Sequence, residues 1–179
     1  MLRSIMAAML AAMLTAPAAA ELQPGTQAPA FSTRAALGGK AMAFNLRAAL
    51  AKGPVVLYFY PRAFTQGCTL EARQFAEAAD AFAAAGATVI GMSADDLDTL
   101  KRFSVEECRD RFAVGVASPA IIAAYDAALV REGRATGMAQ RVSYVIDRDG
   151  RIVFAHSDAD YRDHVRLTLA AVRKLAEGD

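Results

Sequence analysis

This 179-residue chain is poor in metal ligands and in net charge. It has two cysteines and two histidines, and its 20 basic and 19 acidic residues leave a formal charge of +1. No cysteine or carboxylate cluster joins His156 and His164 at zinc-like spacing, so no metal site is expected and both are read as structural or surface residues. No basic run is present, which argues against a nucleic-acid or polyanion partner. The patterns Gly-x-Gly-x-x-Gly, P-loop and Cys-x-x-Cys-His are absent, so the sequence asks for no cofactor. Cys-x-x-Cys is missing too, because position 71, three residues after Cys68, is Glu. That disfavours a thiol–disulfide oxidoreductase. A copper carrier, which needs two near-adjacent cysteines and a histidine, is disfavoured for the same lack of a neighbour.

Long apolar runs are confined to the N-terminus. Met1-Leu2-Arg3-Ser4 supplies a positive start, Ile5 to Leu14 an apolar stretch, and Ala18-Ala19-Ala20 an A-x-A cleavage pattern. The run is shorter than the roughly 20 residues of a membrane span. Residues 1–20 therefore read as a cleaved signal peptide, which implies a periplasmic protein without a membrane segment after cleavage. The remainder, 21–179, fits one domain. Two cysteines in an oxidising compartment suggest one disulfide.

With 55% hydrophobic residues the chain has ample material for a core. Pro24-Gly25 and Gly38-Gly39 are turn signals bracketing a short hairpin around Phe31. Phe44 to Leu50 suits a short helix ending at Gly53. A strand over 54–60 and a helix from Cys68 to Gly86 follow, the helix carrying Ala72, Phe75, Ala79 and Phe82 on one face. Residues 88–92 form a second buried strand, expected parallel to the first. Ser93, Asp95 and Asp96 offer caps for a helix reaching about Phe112, with Cys108 on the face of Leu97, Leu100 and Ser104. Val114 to Ala117 reads as a strand, Pro119 to Asp126 as a helix, and 130–140 as an exposed loop. The turn Arg148-Asp149-Gly150 joins 141–147 and 151–155 as a hairpin. A last amphipathic helix covers about 161–176. This order gives an α/β protein of thioredoxin-like fold, a mixed central β-sheet with helices on both faces.

The stretch Val55-Val56-Leu57-Tyr58-Phe59-Tyr60-Pro61-Arg62-Ala63-Phe64-Thr65-Gln66-Gly67-Cys68 carries the chemistry. Pro61 cannot donate to a sheet ladder and stops the strand. Thr65 is placed to cap the helix whose first turn holds Cys68. A helix N-terminus stabilises negative sulfur, moving a thiol from about 8.5 toward roughly 3.5–7.5. Pro61, Thr65 and Cys68 match the P-x-x-x-T-x-x-C signature, and the chain from about Pro24 onward resembles the peroxiredoxins. Within them, Leu57-Tyr58-Phe59-Tyr60-Pro61 and Gly67-Cys68-Thr69-Leu70-Glu71 are similar to the bacterioferritin-comigratory (Q) type.

That resemblance implies a thiol peroxidase acting on hydrogen peroxide and organic hydroperoxides, re-reduced by a thioredoxin-like or other dithiol, as a monomer or weak homodimer. Cys68 would be the peroxidatic cysteine, with Thr65 hydrogen-bonding sulfur and peroxide and Pro61 shielding the sulfenate from water. Arg141 would hold both reactants through its fork. Glu71 would orient Arg141. Each has a plainer reading: cap, strand terminator, solvated charge. Arg62 is a secondary candidate. Cys108 stands either as the resolving cysteine or as a buried inert thiol; the variant with a resolver five residues after Cys68 is excluded, since that position is Arg73. A peroxide sensor or holdase remains the alternative function.

Overall fold

The structure is a computed structural model describing residues 21–178; the expected signal peptide, 1–20, lies outside the described residues. Its elements in chain order are β1 (Ser32–Leu37), β2 (Lys40–Asn45), α1 (Leu46–Leu50), β3 (Val55–Phe59), α2 (Gln66–Glu77), α3 (Ala79–Ala84), β4 (Thr88–Ser93), α4 (Leu97–Glu106) and β5 (Ala113–Val116). Then come α5 (Pro119–Ala124), β6 (Ala128–Arg131), β7 (Arg134–Ala139), β8 (Val142–Ile146), β9 (Ile152–Ser157), a 3₁₀ turn (Tyr161–Asp163) and α6 (His164–Gly178). Among the described residues no helix is long and apolar enough to cross a membrane.

All five β3 side chains are buried, and the pleat divides them. Val55, Leu57 and Phe59 enter one apolar cluster with residues of α1 and α5; Val56, Tyr58 and the following Tyr60 enter another with α2, α3, α4 and α6. A strand between two cores needs apolar residues at every position, which is why its sequence does not alternate. The sheet runs β2-β1-β5-β4-β3-β8-β9. β3 pairs parallel with β4 and antiparallel with β8, so the expected mixed sheet with helices on both faces is the one observed. Cys68 and Cys108 lie on the same side of it.

Several local expectations are corrected. The first hairpin centres on Gly38-Gly39 rather than on Phe31. Both glycines have positive φ (55° and 74°), the backbone of a tight two-residue turn, and Leu37 pairs with Lys40 across it. Strand β2 therefore continues through Phe44, and α1 starts at Leu46 with Asn45 as its cap. Residues 130–140 are no loop: Glu132 and Gly133, with φ of 50° and 74°, turn β6 into β7. The helix expected over Cys68–Gly86 is interrupted at Ala78, although Gly86 (φ 74°) does end it.

The helix expected to reach Phe112 stops at Glu106. Cys108 N–H returns to Phe103 O (3.1 Å), and Arg109 and Asp110 follow with φ of 51° and 58°. Two left-handed residues reverse the chain so that Phe112 and β5 re-enter the core, a turn that no glycine announces. Of the three expected caps, Asp96 serves, accepting from Thr99 N–H (2.9 Å).

Candidate active site

Strand β3 ends at Phe59, and the segment Tyr60–Thr65 leads into α2, whose third residue is Cys68. Asp95, just after β4, holds this segment down: its Oδ2 accepts from Ala63 N–H (2.7 Å) and from Ser93 Oγ (2.8 Å). Phe64 adopts φ 62°, and its ring meets Phe103 edge-on at 5.2 Å. Beneath, Tyr58 stacks on Phe75 (4.3 Å) and Tyr60 on Phe103 (5.5 Å). Cys68 belongs to the same buried cluster as these rings, 2% exposed, and is a free thiol. The backbone N–H groups of the first helical turn have no intrahelical acceptor, so their partial positive charge falls beside the sulfur.

Arg141, immediately before β8, provides the counter-charge. It is 8% exposed and forked three ways: Nη2 donates to Cys68 Sγ (3.4 Å), Nη1 to Glu71 Oε2, and Nε to Ala159 O (3.1 Å). The guanidinium can come this near because residue 67 is glycine: a Cβ there would stand 3.2 Å from Arg141 Nη2 and 3.8 Å from Tyr161 Cδ1. Glu71 is fully buried one helical turn after Cys68. Burial pushes its carboxyl up to about 8, against the pull of Arg141. Its Oε2 accepts from Arg141, which leaves Oε1 as the oxygen that carries the proton in the neutral carboxyl. That oxygen has no hydrogen-bond partner and lies 3.8 Å from His164 Nδ1.

The remaining expected residues make contacts of their own, none of them a hydrogen bond to Cys68 or Arg141. Thr65 occupies the cap position of α2 but makes no capping bond; its exposed hydroxyl donates to Arg62 O (3.0 Å). Pro61 is half-buried at the end of β3, and Arg62 is exposed. Cys108 is fully buried beyond α4, and its thiol is pushed well up by burial and by Glu107 and Asp110. Its segment is tied to the helix of Cys68 and its continuation by three ion pairs: Arg73–Glu107 (2.7 Å), Glu77–Arg109 (3.5 Å) and Asp80–Arg111. Sequence reasoning passed over Asp95 as a fixer of the cysteine loop, over Gly67 as a spacing residue, over His164, fully buried beside Glu71, and over Ser143, fully buried against His164. For Ser143 a signal existed, since it lies two residues after Arg141 and thus on the same strand face. His164 had no comparable sequence signal.

Chemically, a sulfur beside a fixed cationic fork can attack an electrophile while the fork stabilises the charge on the departing atom. Among the described residues no group of three or more His, Cys, Asp or Glu could hold a metal ion.

Comparison with known proteins agrees with this geometry. A family model described as the AhpC/TSA family matches residues 24–155. Peroxiredoxin Bcp of Bacillus subtilis is 27% identical over 125 residues, 69% of this chain and 80% of the relative. The crystal structure of peroxidoxin BcpB from Mycobacterium tuberculosis superposes with a TM-score of 0.76 at 28% identity, covering 86% of this chain and 98% of that one. The bacterioferritin comigratory protein of Xanthomonas campestris, studied for its alkyl peroxide reduction, gives a TM-score of 0.71 at 27% identity over 80% of this chain and 91% of that one.

Proposed function

Because this chain belongs to the AhpC/TSA family and is a thiol-dependent peroxidase, we propose that Cys68 is the sulfur that attacks the peroxide. The observation that carries the assignment is the Arg141 Nη2–Cys68 Sγ contact of 3.4 Å, made by a guanidinium whose other two nitrogens are held by Glu71 and Ala159 O. Such a fork is preorganised, so no reorientation is needed as charge moves from sulfur to the leaving oxygen.

In this reading the Cys68 thiolate attacks one peroxide oxygen and the O–O bond breaks. The sulfur is oxidised to the sulfenic acid, and the leaving alkoxide or hydroxide takes a proton to become alcohol or water. Arg141 stabilises the thiolate and then the leaving oxygen. Thr65 Oγ, with its proton directed to Arg62 O, has lone pairs to accept the peroxide O–H. This differs from the sulfur contact that the resemblance implied. Pro61 walls the site from water.

Cys108 is assigned as the resolving cysteine: its thiol displaces hydroxide from the Cys68 sulfenic acid, giving a disulfide and water. Buried and with a raised pKa, this thiol is a poor nucleophile where it sits, so the Glu107–Arg111 segment must loosen first. A dithiol partner then restores both thiols. We also read residues 1–20 as an export leader and 21–179 as the periplasmic peroxidase domain; N-terminal sequencing of protein from its native host tests that, with Glu21 expected first. The disulfide is tested by peptide mass spectrometry without reduction after one equivalent of peroxide. A Cys68–Cys108 linked peptide is expected. A Cys68 sulfenate that persists, or that pairs only with external thiol, leaves Cys108 a core residue.

A further inference from the structure

One fully buried polar pair beside the site has no task in the mechanism above. Ser143, on β8, projects to the same face as Arg141 two residues earlier, and His164 opens α6. Ser143 Oγ and His164 Nδ1 are 2.8 Å apart, and His164 Nε2 is 3.1 Å from Asp158 O. A carbonyl can only accept, so Nε2 carries a proton toward Asp158 O, and in the neutral ring Nδ1 then accepts the Ser143 O–H. Burial lowers His164 to about 4 and so favours the neutral imidazole, for which these two contacts select the Nε2–H tautomer.

Both ends of this bridge reach Arg141. Asp158, whose carbonyl is held by Nε2–H, precedes Ala159, whose carbonyl accepts from Arg141 Nε at 3.1 Å. On its other side the ring lies 3.8 Å from Glu71 Oε1, the unpartnered oxygen of the carboxyl that takes Arg141 Nη1. His164 therefore stands behind two of the three contacts that aim the guanidinium, leaving the third directed at Cys68 Sγ.

We infer that His164, seated by Ser143, is a positioning residue for the peroxide step, acting on the sulfur only through Arg141. The inference rests on Arg141 being in the site. Displacing a reacting group by about 1 Å can cost on the order of a hundredfold, so loss of the bridge is expected to lower the second-order rate of sulfenate formation by about tenfold.

The decisive measurement is a double-mutant cycle on that rate, followed by stopped-flow with hydrogen peroxide. His164→Leu, of similar volume, should lose about tenfold. His164→Gln, which keeps an N–H for Asp158 O, should recover at least threefold of that loss. In an Arg141→Lys background, His164→Leu should cost less than about twofold further, because the fork it aims is gone. A residue that merely fills space would cost the same factor in both backgrounds, and that result, or a native rate in folded His164→Leu, overturns the inference. If His164→Leu does not fold, the cycle is run with His164→Asn, whose shorter amide is polar but does not reach Asp158 O, and the same two outcomes decide. An Arg141→Lys single variant reacting at the native rate would instead remove Arg141 from the site, a separate failure of the proposed function.

Discussion

Glu71 and His164 titrate in opposite directions, and together they fix how stability should depend on pH. Burial raises Glu71 from 4.5 to about 8, Arg141 opposing, and burial lowers His164 from 6.5 to about 4. A raised folded-state pKa gives a contribution fully present below pH 4.5 and lost as pH rises through 8. A depressed one gives a contribution fully present above pH 6.5 and lost as pH falls through 4. Between pH 4.5 and 6.5 the unfolded chain carries Glu71 ionised and His164 protonated, while the folded chain carries Glu71 protonated and His164 neutral. Each holds one proton, so this pair contributes no slope there. Above pH 6.5 the unfolded chain loses its histidine proton while the folded chain keeps the one on Glu71. Stability should then fall by about 1 kcal/mol per pH unit at mid-window and by about 1.3 kcal/mol in all between pH 6.5 and 8, because each group is half titrated at one end of that range. Urea unfolding at pH 5.5, 6.5, 7.2 and 8 measures it, in a Cys68→Ser background so that sulfur ionisation does not contribute. Glu71→Gln in the same background should be flat from pH 6.5 to 8. A parent whose stability is flat or rising over that range, or a Glu71→Gln variant that falls as steeply, refutes the reasoning.

Gly67→Ala separates stability from chemistry. A helical alanine is worth up to about 1 kcal/mol over glycine, yet its Cβ would crowd Arg141 Nη2 at 3.2 Å. The variant should melt no lower than native, while its peroxide rate falls roughly tenfold; an unchanged rate would mean the guanidinium can shift freely. The pairs Arg73–Glu107, Glu77–Arg109 and Asp80–Arg111 are partly exposed. At about 0.2–1 kcal/mol each they hold the Cys108 segment by roughly 1–2 kcal/mol and weaken in salt. Disulfide formation after sulfenate formation should therefore quicken severalfold between 0.05 and 0.5 M salt, and in Arg111→Ala at low salt; indifference to both would show that these pairs do not govern release.

Much of this site could be read from the chain, for identifiable reasons. The β3 run, the terminating Pro61 and the N-terminal cysteine are local signals. Strand, loop and helix follow one another in sequence, so their geometry is fixed by neighbours. Arg141 is 73 residues from Cys68, and only the family pattern pointed to it. Its partners Ala159 O and His164 were hidden because a backbone carbonyl leaves no mark on sequence, and a lone histidine at a helix start looks the same buried or exposed. The turn after α4 was missed because Arg109 and Asp110 take left-handed backbone without a glycine. That error placed Cys108 on a helix face when it lies in the reversal beyond it. The β6–β7 hairpin was missed because its strands are short and largely exposed, with Gly137 in one of them.

The central claim is that Cys68 reduces peroxide in a cycle that a dithiol renews. Steady-state consumption of hydrogen peroxide by purified protein, with a dithiol in excess, tests it most directly when native protein is compared with Cys68→Ser and Cys108→Ser. Native protein should turn over many equivalents and Cys68→Ser none, with its circular dichroism unchanged. Cys108→Ser should still form one equivalent of sulfenate at Cys68. Consumption that survives in Cys68→Ser, or sulfenate trapped first at Cys108, would contradict the account; a single equivalent consumed by native protein with no renewal would make it a peroxide sensor rather than a peroxidase.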